Sequence, residues 1–346
     1  MRNLSICAIS RTFYFLVFCA HPFFASCAID DIGDSISKIK PYKSHISIAT
    51  HLTQINLNTT LLSQENRGKI EYKTATATRF GLAFDYKWVG IELFTRLPFN
   101  EHKEKGTTKN SGLYLRINKS KFWANVIMQR FTGFYWSNPD ASTRLELKPG
   151  YYPINPSMRS NLIHVSAYYI FQPDKFSNMA AQGENARQLR SGGSFFAGLG
   201  FYFDNLISAV PIVPPSQVNN FKSQDQLVQI LARSFALNGG YAHTFVIFKK
   251  ICTTLYLAPG LAFFNGKKTF LDDEKVAYKG QFTLRLDSRI SIGYNSDNYF
   301  GGFLLSNSTN NQNLGTGTSY SYGFSTVRFY VGKRFALKKS LGVFGL

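Results

Sequence analysis

The sequence predicts an exported all-β protein: a transmembrane antiparallel up-and-down β-barrel of about twelve strands after an N-terminal signal peptide. Three observations predict it. A short apolar run follows basic residues at the N-terminus, residues 278–294 alternate apolar and polar side chains with period two, and short links between predicted strands alternate with long ones.

The N-terminus comes first. Arg2 and Arg11 precede the apolar run Thr12 to Phe24, and Ala25-Ser26-Cys27-Ala28 supplies small residues for cleavage. The run is too short to span a bilayer as a helix. Residues 1–28 read as a signal peptide cleaved after Cys27 or Ala28. Lipidation at Cys27 is the alternative, disfavoured because Phe24 stands where a lipobox usually carries Leu. Cys7, Cys19 and Cys27 lie in or beside this segment, leaving Cys252 alone in the mature chain. An intramolecular disulfide and a cysteine metal site are therefore not expected. Residues 29–43 are expected as a periplasmic segment, 44–335 as the barrel and 336–346 as a periplasmic tail.

Composition fits strands. The 346 residues are 44% hydrophobic and include 32 Phe and 19 Tyr, side chains that suit a pleated, half-buried surface. The formal charge of +19 would suggest nucleic acid for a soluble protein. Here Lys and Arg are scattered over strands and turns with no basic helix, so nucleic acid is not an expected partner. After the signal no stretch is long and apolar enough for a transmembrane helix.

Alternation is clearest from Tyr278 to Tyr294. Tyr278, Phe282, Leu284, Leu286, Ile290, Ile292 and Tyr294 share one face; Lys279, Gln281, Thr283, Arg285, Asp287, Arg289 and Ser291 share the other. Phe282 to Ile292 covers roughly 25 Å when tilted, the height of an outer-membrane apolar band, and Tyr278 and Tyr294 fall where aromatic girdles belong. The predicted strands are 44–58, 70–84, 88–98, 109–118, 121–136, 158–171, 191–205, 232–248, 251–265, 277–293, 299–308 and 319–335; ten or fourteen are alternative counts. In the last strand Tyr320, Tyr322 and Phe324 have one parity and Val327, Phe329, Val331 and Phe335 the other, which a β-bulge near Ser325 or Thr326 would reconcile. Asp85-Tyr86-Lys87, Lys119-Ser120, Lys249-Lys250 and 295–298 read as short turns. Residues 59–69, 99–108, 137–157, 206–231, 266–276 and 309–318 read as long loops on the opposite side. The connection 172–190 is long on the short-turn side and is a candidate plug.

Alternation alone also fits a soluble secreted β-protein with its apolar faces turned inward. Long strands and the link asymmetry favour lipid. In hydrocarbon an unpaired backbone group costs several kcal/mol, so the sheet must close by pairing 44–58 with 319–335. The expected location is the outer membrane of a Gram-negative bacterium, with outer-membrane lipid as partner.

Several blocks resemble an uncharacterised outer-membrane β-barrel family, a domain of unknown function typical of Bacteroidota. They are Gly81-Leu-Ala-Phe-Asp-Tyr-Lys-Trp88, Phe131-Thr-Gly-Phe-Tyr-Trp136, Tyr168-Tyr-Ile-Phe-Gln-Pro-Asp-Lys-Phe-Ser177, Gln188 to Ser194, Gly293-Tyr-Asn295, Tyr299-Phe-Gly-Gly302 and Tyr330-Val-Gly-Lys-Arg-Phe335. The resemblance implies fold and location and brings no catalytic residues. The strand ending at Phe335 also resembles the terminal aromatic signal read by the barrel-assembly machinery, a further expected partner, although 336–346 follow it.

Candidate site residues face the lumen. Arg285, Asp287, Arg289 and Arg328 form a predicted charge cluster, read as an ion-pair ladder before a constriction selecting anionic solutes. Glu92, Arg96 and Arg116 read the same way. His164 and Ser166 resemble the His-x-Ser-Asn-Gly arrangement of outer-membrane phospholipases, but Ala167-Tyr168 replaces Asn-Gly and the pair faces away from the lipid side, so polar lining is preferred. His45, His51, His102 and His243 lack metal-ligand spacing, and no cofactor is expected. Phe134 to Trp136 with Tyr151-Tyr152 read as interface girdle before a glycan contact. Asn307, Asn310, Asn311 and Asn313 read as an external loop. The expected function is a non-enzymatic envelope protein: a structural barrel, a small-solute channel or a surface-binding module for a ligand not yet known. A lipid-modifying or lipid-hydrolysing enzyme is the alternative.

Overall fold

The computed structural model describes residues 38–64, 68–75, 78–97, 103–315 and 317–337. The predicted signal peptide with its cleavage site, most of 29–43, His102 and most of the tail 336–346 lie outside the described residues.

Fifteen strands are described, and twelve of them close a ring. The ring comprises β2 (His45–Ser63), β4 (Thr78–Tyr86), β5 (Val89–Arg96), β6 (Lys109–Asn118), β7 (Phe122–Trp136), β8 (Ile154–Ile170), β10 (Gly192–Ile207), β11 (Leu227–Ile247), β12 (Ile251–Phe270), β13 (Lys275–Asn295), β14 (Tyr299–Asn313) and β15 (Thr318–Ala336). The short strand β3 (Lys69–Lys73) joins the same sheet by pairing with β2 and β7, and β1 (Ile39–Pro41) pairs with β9 (Ala186–Gln188) in a separate two-stranded sheet. Neighbours are antiparallel, and β15 closes on β2 from Thr318 opposite Ser63 to Ala336 opposite His45. Closure pairs the backbone of both edges, as hydrocarbon requires.

Outward side chains form an apolar belt on the half nearer the short turns. Leu284, Phe282, Phe195, Leu199 and Phe235 are 77%, 69%, 67%, 67% and 66% exposed. In water so continuous a belt would exceed any patch a soluble monomer tolerates. The barrel therefore spans the membrane with this face toward acyl chains.

Toward the long-loop end the apolar side changes. In β2, Ile46, Ile48 and Leu52 point out, whereas Ile55, Leu57 and Leu61 point in. In β15, Val327, Phe329, Val331 and Phe335 point out, whereas Tyr320 and Tyr322 point in. Register runs unbroken through β15 on both neighbours, so the bulge expected near Ser325 or Thr326 is absent. The parity conflict arises because the strand leaves the lipid and begins to pack a core inside the barrel. Tyr278 was expected outward. A register shift against Phe264 and Gly266 turns it inward, 6% exposed, with its hydroxyl donating to the Leu231 carbonyl at 2.8 Å.

The same change explains the loop errors. Residues 266–270, 275–276 and 309–313 are strand, with a turn at 271–274. Outside the belt both strand faces carry polar residues, so no outward apolar row marks them. Asn310 is in β14, 1% exposed, and donates to the Tyr322 hydroxyl at 3.2 Å. Predicted strand 70–84 divides into β3 and β4. Asp85 belongs to β4 and not to a turn, which falls at Lys87–Trp88 with Lys87 at φ +52°.

Two segments fill the ends of the barrel. At the long-loop end residues 208–226, including 3₁₀ turns Pro215–Asn220 and Lys222–Gln224, send Ile212, Val213 and Phe221 into a core with Leu57, Phe131 and Leu227. Phe134 and Trp136 join that core and Tyr135 is buried, so they are not interface girdle. At the short-turn end 172–190, with the one-turn helix α2 (Asn178–Ala181), lies inside the ring. A longer loop helix, α1 (Ala141–Leu145), caps the outside between β7 and β8.

Candidate functional site

The short-turn plug is held by side chains from the opposite wall. Arg334 on β15, 2% exposed, donates through Nε to the Glu184 carbonyl at 2.8 Å, through Nη1 to the Ser296 carbonyl at 2.6 Å and through Nη2 to Asn295 Oδ1 at 2.9 Å. Its guanidinium lies 4.6 Å from the ring centroids of both Tyr42 and Phe300. Ser47 Oγ donates to Asn185 Oδ1 at 2.5 Å, and β9 pairs with β1. Outside the ring, Asp297 Oδ1 accepts from Tyr42 at 2.6 Å, Lys40 at 2.9 Å and Arg187 at 3.1 Å. The Tyr42 and Lys40 hydrogen bonds hold the Asp297 carboxyl well below the usual carboxylate range. Burial and that same hydrogen bond push the Tyr42 phenol up to about 12.

Above the plug, Glu92 on β5 and Arg116 on β6 anchor a buried ionic network. Glu92 takes both ends of the Arg328 guanidinium, at 2.9 and 2.7 Å, and lies 3.1 Å from His51 Nε2. Arg116 meets Asp85 at 2.9 Å, Glu184 of the plug at 3.1 Å and Glu92 at 3.6 Å. Asn118 completes the link by donating to Glu184 at 2.7 Å. Glycine makes this network possible at two places. A Cβ at Gly81 would strike the His51 ring, and one at Gly90 would strike Asp85.

The four predicted cluster residues all face the lumen but do not form one ladder. Arg285 pairs with Asp287 at 3.1 Å, donates to Ser308 at 2.6 Å and stacks 3.7 Å over Tyr202. Arg289 turns to the plug, donating to Asn178 at 2.7 Å, and Arg328 goes to Glu92 instead. All four line a single cavity of about 210 Å³ between plug and cap, together with Arg79, Glu92 and His164. Arg79, 2% exposed, donates to Asn110 at 2.5 Å and lies over Phe94.

His164 and Ser166 also line this cavity. The His164 Nε2 atom is taken by Asp204 at 2.8 Å, and Asp204 accepts from Tyr322 at 2.7 Å. A nucleophile's base must offer a nitrogen to the serine. Among the described residues no hydrogen bond joins Ser166 to His164, whose Nε2 is held by Asp204, so the trio reads as a wall fixture. Sequence reasoning missed Asp204, Asp85, Glu184, Arg79 and Arg334 as lumen groups. Asp85 and Arg79 follow from the inward parity of β4 once its limits are known; Glu184 lies in a connection that carries no period.

At the long-loop end a cleft of about 740 Å³ opens between the α1 loop and 209–216. Asp140 ties its sides, accepting from Ser216 at 2.5 Å and Gln217 at 2.9 Å. Among the described residues no group of three His, Cys, Asp or Glu side chains could hold a metal ion. Cys252 is a free thiol.

Comparison with known proteins returns barrels at low similarity. The outer membrane protease OmpT of Escherichia coli is 7% identical, with a TM-score of 0.38 over 86% of this chain and 98% of that one. The translocator domain of the autotransporter NalP from Neisseria meningitidis is 11% identical, with a TM-score of 0.32 over 94% and 98%. The P. putida toluene transporter TodX is 8% identical, with a TM-score of 0.27 over 85% and 91%. No curated protein matches. Residues 34–335 match the family described as domain of unknown function DUF4421, and the chain belongs to that family.

Proposed function

We propose that this chain is a non-enzymatic outer-membrane protein of a Gram-negative envelope that works as a closed barrel. One observation carries the reading: the lumen is filled at both ends, by 172–190 on one side and by 208–226 on the other. Phe176, Ile212 and Gln188 in these segments are 0% exposed. A constitutive pore needs a continuous polar path, and here a packed apolar core interrupts it. The belt would be solvated by outer-membrane lipid, and β15 with its outward Phe335 offers the assembly machinery its terminal strand. The family resemblance makes Bacteroidota the expected source.

Planar-bilayer recording of the full chain tests the reading. Wild-type protein is expected to insert, to show heat-modifiable migration and to pass no steady current; a stable open conductance would refute the closed state. The lipid-hydrolase alternative is checked by turnover of labelled phospholipid. Turnover lost in His164→Ala would replace the non-enzymatic reading.

A further inference from the structure

We propose that the cavity in mid-barrel is a binding site for a small oxyanion, a phosphate- or carboxylate-bearing molecule. This deepens the closed-barrel reading by naming what the lumen would retain.

The argument begins with charge in the cavity wall. Arg79, Arg285, Arg289 and Arg328 line it, against Glu92 and Asp287. Glu92 is already shared among Arg328, His51 and Arg116, and Asp287 is held by Arg285. The other lumen acids are engaged as well. Asp204 is occupied by His164 and Tyr322, and Asp85 and Glu184 are occupied by Arg116. Among the described residues Arg79 and Arg289 have no carboxylate at ion-pair distance: they donate to the amide oxygens of Asn110 and Asn178 and lie over the rings of Phe94 and Tyr256. Two guanidiniums thus stand in a low-dielectric space without a carboxylate, a costly arrangement unless an anion enters.

Unfilled donors provide the second, independent observation. Arg285 is 4% exposed, yet its Nη1 has no acceptor in the protein, and Arg289 Nε is likewise unpartnered. Buried donors are nearly always satisfied, so each marks a place for an acceptor. Guanidinium forks match the two oxygens of a carboxylate or phosphate. Neutral donors, Ser306, Thr326 and Asn125, share the wall. About 210 Å³ admits a small anion and excludes a polymer.

Inorganic phosphate and succinate are the probes, each equilibrated with full-length protein in detergent and, separately, present during refolding, since exchange through a closed barrel is slow. The expected result is saturable retention of one probe after desalting, at about one equivalent, against a chloride background. Arg79→Gln and Arg289→Gln, which orphan no carboxylate, should each weaken retention roughly tenfold or more while heat-modifiable migration is kept. Preference between the two probes separates phosphate from carboxylate chemistry. Absence of saturable retention in wild type, or retention unchanged in both variants, overturns the site. A sealed barrel that retains nothing sinks the anion site alone; a conducting barrel that retains phosphate sinks the closed state alone.

Discussion

Replacing Arg334 with methionine should loosen the segment that blocks the short-turn end while leaving the barrel standing. Arg334 reaches the plug backbone through Glu184 and Gly183 carbonyls and reaches the rim through Ser296 and Asn295. Charge-assisted hydrogen bonds contribute about 1.5–3 kcal/mol each and are not additive. Two such bonds to the plug, partly offset by no longer desolvating a guanidinium, give a net loss of about 3 kcal/mol. That shifts the docked–undocked equilibrium by roughly a hundredfold. Limited proteolysis within 172–190 reads this directly, because cleavage follows the population of the open form when reclosing is fast. Arg334→Met should be cut about a hundred times faster than wild type, with unchanged heat-modifiable migration, since the register between β15 and β2 uses backbone groups. Arg334→Lys keeps the charge but loses the fork and should fall between them. Equal cleavage rates in Arg334→Met and wild type would refute the assignment of Arg334 as the clamp.

Three further outcomes are expected. The Asp297 carboxylate is depressed in the folded state, so its contribution is present above an unfolded value of about 3.9 and is lost as pH falls through the lower folded value. Because Asp297 is half exposed, the effect is at most about 1 kcal/mol; pepsin cleavage of 172–190 should rise below about pH 4 in wild type and lack that step in Asp297→Asn. Phe221→Ala removes a 2% exposed ring from the cap core and should cost about 3–5 kcal/mol, seen as a lower temperature for the heat-induced gel shift. Glu92→Gln strips the shared acid from Arg328, His51 and Arg116 and should destabilise by about 3–5 kcal/mol, read by denaturant unfolding of tryptophan fluorescence.

Within the belt the fold was legible in the sequence, because lipid on one side and a polar lumen on the other impose period two on each strand. Leu284 and Arg285 need no tertiary information to be placed. Legibility failed where the environment changed along one strand. Tyr320 and Tyr322 follow the same pleat as Arg328, but the outward apolar row that reveals the pleat ends above Val327. The site was legible as to face and not as to partner. Parity puts Arg328 and Asp287 in the lumen, yet whether Arg328 meets Asp287 or Glu92 depends on where β5 lies across the barrel. No local pattern records that distance. Glu184 was hidden because a plug has no period, and Arg334, which shares the inward parity of Arg328, has its partners in that same plug, the Gly183 and Glu184 carbonyls.

The reversal of apolar phase also bears on how this barrel stays closed. A strand in lipid is inside-out, apolar toward the solvent it lives in and polar toward the axis. The same strands, a few residues later, place Ile55, Phe131, Leu227 and Tyr320 toward the axis, as a water-soluble barrel does. Each strand therefore contributes to two solvents, and the upper half becomes a conventional core that 208–226 completes with Ile212, Val213 and Phe221. Opening a path through that half would expose an apolar interior to water, at about 25 cal/mol per Å². Opening the lower half would exchange the plug's hydrogen bonds for water and uncover only the smaller apolar cluster around Phe176, Trp123 and Phe196. The short-turn end is thus the half that can move, and Arg334 is where a small chemical change reaches it. With two obstructions in series, Arg334→Met alone should pass no steady current, and Arg334→Met combined with loss of the Phe221 ring should flicker open; conductance in Arg334→Met alone would show that the upper core is not a seal.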